Sequence, residues 1–392
     1  MRVLQVHNHY CQSGGEDEVY LREKELLRSA NHEVLEYTRH NDEIADSGFL
    51  CQIKLGLQSV WASGSADSLR SLLGSKRPDV IHFHNIFPLI SPAAYYVCHD
   101  ESIPAVQSLH NPRLLCPAAT CHRDGGACEE CTDKVVAWPG VVHACYHKSH
   151  FQTAVIAGML ATHRLMKTWQ RRIDAYIVFT DFFRQKFIAA GLPAERIFLK
   201  PHFLTTDPGI RKQSGDYALF IGRLAPEKGV TTLLSAWKTV SRVPLWIRGE
   251  GPMEDSVRVF AEGNPSVRLL PRLSQKELFD VIKGARFLVW PSEGYYESFG
   301  LAAIEAFACG VPLIASGLGV MKEIVADGRT GLHFMPSDAM DLAEKVDWAW
   351  THPKQMEVMG RLARAEYEAK YTAEQNYPRL MEIYKQAQRA RA

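Results

Sequence analysis

The 392-residue chain carries 46% hydrophobic and 23% charged residues, a globular composition too long for one ordinary core, which predicts two domains of about 200 residues each. Forty-five basic against 44 acidic side chains leave a formal net charge of +1, which argues against a general nucleic-acid binder. No long uncharged apolar run occurs, and the opening MRVLQVHNHY reads as a strand rather than a signal peptide, so a cytoplasmic location is expected.

Taken in chain order, β-branched runs predict strands at Arg2–Val6, Glu33–Thr38, Val80–His84, Ala105–Leu109, Tyr176–Thr180 and Ile197–Lys200, with helices over 16–30 and 148–172. The polar, Pro/Gly-bearing stretch LTTDPGIRKQSGD, residues 204–216, has no periodicity and predicts the domain boundary. Beyond it, strands are expected at Tyr217–Gly222, Leu245–Arg248, Arg268–Leu270, Phe287–Trp290 and Leu313–Ala315. Helices are expected near 230–241, 253–262, 274–283, 299–309 and 338–352. Ser274–Glu277 and Thr372–Gln375 both carry the spacing of a capping box. Such alternation predicts α/β architecture: two doubly wound parallel sheets covered by helices, with ligands outside the carboxyl ends of the strands.

In GYYESFGLAAIEAFACGVP, residues 294–312, Glu297 sits in a turn and Glu305 inside an apolar helix. The eight-residue step is roughly 12 Å along a helix, about the reach from sugar to ribose in a nucleotide diphosphate sugar. The helix start at Ser298, Phe299, Gly300 and Leu301 offers N–H groups to an anion. Ligand hydroxyls would satisfy an otherwise costly buried carboxylate at Glu305. In FIGRLAPEKGV, residues 220–230, Arg223 and Lys228 follow a strand and suit a leaving diphosphate. Taken singly, these two cations read better as a solvated turn; only their order with the other motifs reverses that.

The ordered set GRLAPEKGV, RGEGPMED and ESFGLAAIEAFACGVPLIAS resembles the donor-domain motifs of glycosyltransferase family 4, retaining enzymes of the GT-B fold, most strongly over residues 215–335. The resemblance implies a sugar transfer from a nucleotide diphosphate donor to a saccharide or lipid-linked acceptor hydroxyl, as in polysaccharide or glycoconjugate synthesis. It implies that Glu297 orients the sugar, Glu305 the ribose, and Arg223 and Lys228 the diphosphate, with base-contacting turns at Glu250-Gly251 and Arg272-Leu273. It further implies that Gly14-Gly15 faces the donor phosphates and that His110, at a strand end, lies beside the reacting face. A tight turn and a capped strand end explain these last residues equally well. On the same resemblance the domains are 1–207 and 208–375, with residues 376–392 forming a helix that returns to the first domain across a central cleft. No Asp-x-Asp follows a strand, so no catalytic metal is expected. A nucleotide-sugar 2-epimerase or phosphorylase on the same fold, and a non-catalytic zinc-stapled binding module, remain open alternatives.

Five of the nine cysteines fall between 116 and 145. The Cys128-x-x-Cys131 knuckle with Cys116 and Cys145 fits tetrahedral zinc, a structural rather than catalytic ion; reduced or disulfide-linked packing thiols fit as well. The loop over 116–147 also resembles one found in a subset of these transferases. The basic stretch 147–172 fits either a peripheral membrane contact or a core-packed helix with a solvated face.

Overall fold

The computed structural model describes residues 1–11, 14–44, 49–293 and 297–391. The chain divides into two compact units. The first comprises 1–121, 128–205 and 376–392; the second comprises 206–375 with the short segment 122–127.

In the first unit, strands β1 (Arg2–His9), β2 (Glu33–His40), β3 (Val80–Phe83) and β4 (Ala105–Ser108) come first; next in the chain is a small antiparallel hairpin of β5 (His122–Arg123) and β6 (Gly126–Ala127), the short segment grouped with the second unit. Strands β7 (Ala175–Val178) and β8 (Ile197–Leu199) complete the main sheet. Its order is β2-β1-β3-β4-β7-β8, and every neighbouring pair is parallel. Strands β3, β4 and β7 are buried along their whole length, as strands covered on both faces must be.

The second unit contains β9 (Tyr217–Ile221), β10 (Leu245–Arg248), β11 (Val267–Leu270), β12 (Ala285–Trp290), β13 (Leu313–Ser316) and β14 (Gly331–Phe334). The order β11-β10-β9-β12-β13-β14 is again parallel throughout. This is the doubly wound dinucleotide-fold order, with its reversal between β9 and β12. The core packs Phe220, Trp237, Ile247, Phe287 and Ile314 with Leu342 and Met356 from later helices. Both units are thus Rossmann-like, and the architecture is GT-B.

Four differences from the sequence reading have local causes. The stretch 148–172 is not one helix: it runs His150–Leu165, breaks where Lys167 takes φ 53°, and resumes at Thr168–Arg171. The helix expected at 299–309 is Leu301–Ala308, because Gly300 caps it with φ 89°. Strand β14 was not anticipated; it is four residues long and begins at a glycine. Helices Phe49–Val60 and Ser63–Ser75 also lie where no element was expected. The Ser274 box forms in both directions.

The last helix, Ala373–Arg391, lies in the first unit from Asn376 onward. It closes a buried polar network there. Lys200 Nζ donates to Glu23 Oε1 at 2.5 Å and to Asn376 Oδ1 at 3.1 Å, and Lys200 and Glu23 are both fully buried. Tyr384 Oη pairs with His82 Nδ1 at 2.9 Å. Among the described residues no helix is long and apolar enough to cross a membrane.

Candidate active site

Parallel pairing puts all carboxyl strand ends of the second sheet on one edge. The segments 222–229, 249–252, 271–273 and 291–293, which follow β9, β10, β11 and β12, therefore gather there. At the β9/β12 reversal, Gly229 takes φ 70°, and a Cβ there would lie 1.8 Å from the Pro291 carbonyl oxygen. Only a glycine lets the two strand-end turns approach this closely.

That approach brings Lys228 onto Glu297. Its ammonium donates to Oε1 at 2.7 Å and to Oε2 at 2.6 Å, and Ser292 Oγ donates to Oε2 at 2.9 Å. Burial pushes the Glu297 carboxyl up, but the Lys228 charge and hydrogen bonds from Lys228, Ser292 and Trp290 outweigh it, so the group is held below its ordinary value and stays ionised. An ammonium has three donors, so Lys228 keeps one N–H for a further acceptor.

Arg223 does not join this cluster. Its side chain is 65% exposed and pairs with Glu227 at 3.6 Å. Glu250 is exposed beside Arg248, while the Glu250 carbonyl accepts from the Leu224 N–H at 2.9 Å and so ties the two turns together. Gly251 takes φ 154°. Arg272 is exposed and Leu273 half-buried just past β11.

Gly300 packs against Trp290, where a Cβ would come within 2.2 Å of the indole ring. Ser298 is half-buried, whereas the Phe299 side chain is core, 1% exposed and edge-on to Tyr371. Phe299 can therefore meet a ligand through its backbone only. Leu301 opens the helix, and Glu305 lies buried in its second turn. Residues 294–296 of the motif lie outside the described residues.

In the first unit, the strand ends collect histidines. His110 Nε2 lies 3.1 Å from His84 Nδ1, and its ring stacks on His202. Burial, together with neighbouring positive groups, drives the pKa of His84, His110 and His202 well below the usual imidazole range, so all three are neutral at pH 7. A cavity of ≈ 70 Å³ is lined in part by His84, Asn85, His110, Asn111 and Arg113.

Gly14 begins the helix Gly15–Ser29, and its N–H donates to Asp17 Oδ2 at 2.9 Å. A Cβ at Gly14 would meet nothing within 4 Å, so crowding by this chain does not require a glycine there. The sequence reading missed Glu16, which accepts from Asn111 at 2.6 Å and Tyr10 at 3.0 Å and whose pKa burial raises. An acid following a glycine pair was the available signal. His202 carried none, because the sequence does not show which distant strand ends are neighbours.

In the cysteine loop, Cys131 feels the charges of Cys116, Cys128 and Cys145, and burial pushes its pKa up to about 11. The Cys116 sulfur accepts from the side chain of Cys121 and from the backbone N–H groups of Cys121, Ala118 and Thr120. Among the described residues, two sets bring three metal-capable atoms within 4.8 Å: His7, His9 and Asp17, and Glu23, His82 and His84. The thiols are neighbours but not drawn into such a set.

Residues 207–366 match the family described as "Glycosyl transferases group 1". The D-rhamnosyltransferase WbpZ of Pseudomonas aeruginosa is 31% identical over 160 residues, which is 40% of this chain and 42% of that protein. The chain matches less than half the length of the first curated relatives. Two solved structures extend the likeness to nearly the whole chain. Sucrose-phosphate synthase from Thermosynechococcus elongatus has TM-score 0.72 at 18% identity, covering 98% of this chain and 99% of that one. HepE from Anabaena, solved with UDP and glucose, has TM-score 0.67 at 15% identity, covering 97% and 99%. The chain therefore shares its fold with glycosyltransferases over nearly its whole length, and its sequence is similar to theirs across the second unit.

Proposed function

We infer that the protein is a retaining glycosyltransferase of the family 4 type, moving a sugar from a nucleotide diphosphate donor to an acceptor hydroxyl. The observation that carries this reading is the Lys228–Glu297 pair at the strand-order reversal of the second unit, where doubly wound sheets bind nucleotides. Glu297, ionised and fixed by three donors, accepts from sugar hydroxyls. The spare N–H of Lys228, with Arg223, neutralises charge growing on the leaving diphosphate. Glu305 accepts from the ribose, and the first turn of Leu301–Ala308 faces the phosphates. The binding of UDP and glucose by HepE supports a donor of this class.

Thermal stabilisation by UDP, GDP and ADP, each with and without EDTA, tests the reading on wild type and Glu305→Ala. Stabilisation by one nucleotide, indifferent to EDTA and lost in the variant, is expected. A flat panel would sink it.

The cysteine loop is proposed to hold one structural zinc through Cys116, Cys128, Cys131 and Cys145. The backbone N–H groups aimed at Cys116 are the kind of support a metal-bound thiolate receives. Side-chain rotation must bring the sulfurs to coordinating distance. Metal content per chain of the intact protein tests this.

A further inference from the structure

Residues 134–173 contain six Lys and Arg residues (Lys134, Lys148, Arg164, Lys167, Arg171 and Arg172) and no acid. The whole chain has 44 acids in 392 residues, or one in nine, so about four would be expected in such a stretch. Among the described residues, the same stretch holds many of the exposed large apolar side chains. Val135, Val136, Trp138 and Val142 are 52%, 49%, 57% and 58% exposed, and Leu165 and Met166 are exposed as well.

These side chains stand on a fixed support. Trp138 and Val142 lie four residues apart on the short helix Trp138–Val142 and so share a face. His150 Nδ1 bonds the Val141 carbonyl at 2.7 Å. Arg164 donates to the carbonyls of Lys134, Val135 and Leu114. That use of Arg164 leaves Lys148, Lys167 and Arg171 as the exposed cations of the stretch. Lys134 pairs with the flanking Asp133 at 3.4 Å, but a tryptophan and valines held outward beside Lys148, Lys167 and Arg171 fit the boundary between anionic headgroups and acyl chains.

We propose that residues 134–142 and 165–171 form a docking surface for an anionic lipid bilayer. Trp138 and Val142 insert at the interface, and Lys148, Lys167 and Arg171 pair with headgroup phosphates. A neutral bilayer lacks the countercharge. This surface uses none of the residues assigned to the donor, so loss of docking with donor binding intact leaves the functional reading standing.

The test is co-sedimentation of the full chain with phosphatidylcholine vesicles containing about one third phosphatidylglycerol, or none. Wild type should pellet with the anionic vesicles only, and should release at about 1 M NaCl, where the screening length falls to about 3 Å. Trp138→Ser with Val142→Ser should weaken partitioning by about tenfold or more. Lys148→Glu with Lys167→Glu should lose about fivefold or more per position. Both double variants should keep the wild-type melting temperature and nucleotide affinity. Equal binding to neutral vesicles, or unchanged binding by folded variants, would overturn the proposal. So would Trp138-dependent self-association without vesicle binding, which would assign the surface to a second copy of the chain.

Discussion

Lys228 and Glu297, 69 residues apart, meet through both carboxylate oxygens at 2.7 and 2.6 Å. The contact joins the turn after β9 to the turn after β12, the two central strands of the second sheet. It is a partly buried pair, with side chains 28% and 11% exposed. It differs in kind from Arg223–Glu227, a 3.6 Å contact whose cation is 65% exposed.

The two cations should therefore separate in mutation. Lys228→Met leaves the Glu297 charge without its main partner, and is expected to lower stability by about 1–2 kcal/mol and turnover by about 100-fold or more. Arg223→Ala should lower turnover by about 10- to 100-fold while changing stability by no more than about 0.5 kcal/mol. Urea denaturation beside steady-state kinetics reads both. Equal stability losses in the two variants would contradict the distinction.

Gly300→Ala places a methyl group within 2.2 Å of the Trp290 ring, at a residue with φ 89°. Loss of more than about 1 kcal/mol is expected from backbone strain and the displaced indole together. Because Trp290 also bonds Glu297, turnover should fall as well. A variant with wild-type melting temperature and rate would show that the turn can relax.

His82 gives a pH signature. Burial is the largest influence on it; the Glu23 carboxylate opposes that effect and Lys200 adds to it, and the folded pKa falls to about 4 from 6.5. The unfolded chain takes up a proton below pH 6.5 that the folded protein refuses until about pH 4. Stability is full above 6.5 and falls as pH drops through that window, by at most about 1.4 kcal/mol per pH unit for this one group. His82→Gln should flatten the fall, measured by urea denaturation across the window. Parallel slopes in wild type and variant would assign the acid sensitivity elsewhere.

Intact protein purified without chelator should carry about one zinc per chain by elemental analysis, the stoichiometry of a four-thiolate structural site. Cys128→Ser with Cys131→Ser should carry none and melt several degrees lower. Cys121→Ser should keep the metal, because Cys121 is the thiol outside the set. Metal-free wild type with ordinary stability would leave the cysteines as packing thiols.

The repeating strand and helix pattern was legible because parallel strands buried on both faces are mostly apolar: β7 reads Ala-Tyr-Ile-Val, and β3 and β4 carry His82, Gln107 and Ser108 only toward their carboxyl ends. What stayed hidden was weakly patterned or depended on distant neighbours. Strand β14 is as short as β10 and β13, but its Gly-Leu-His-Phe opens on a glycine and is interrupted by a histidine, so it lacks the apolar run that marks β13. The break at Lys167 and the late start after Gly300 are single backbone conformations inside apolar runs that otherwise continue. The residue types around the second sheet's edge were readable, but the division of labour between Lys228 and Arg223 was not. Spacing cannot say which of two cations in one turn will face a carboxylate 69 positions on.

The amino-terminal unit is not complete until the carboxyl terminus supplies Asn376 to Lys200 and Tyr384 to His82. During synthesis the second unit emerges with all its strands while the first still lacks a helix that satisfies its buried lysine. The unit made first is thus expected to mature after the second, once the helix Ala373–Arg391 has itself been made. Ribosome-arrested chains ending at residue 375 would show it: residues 206–375 should resist protease while residues 1–205 are still cut. Early protection of both would mean that the first unit tolerates the missing helix.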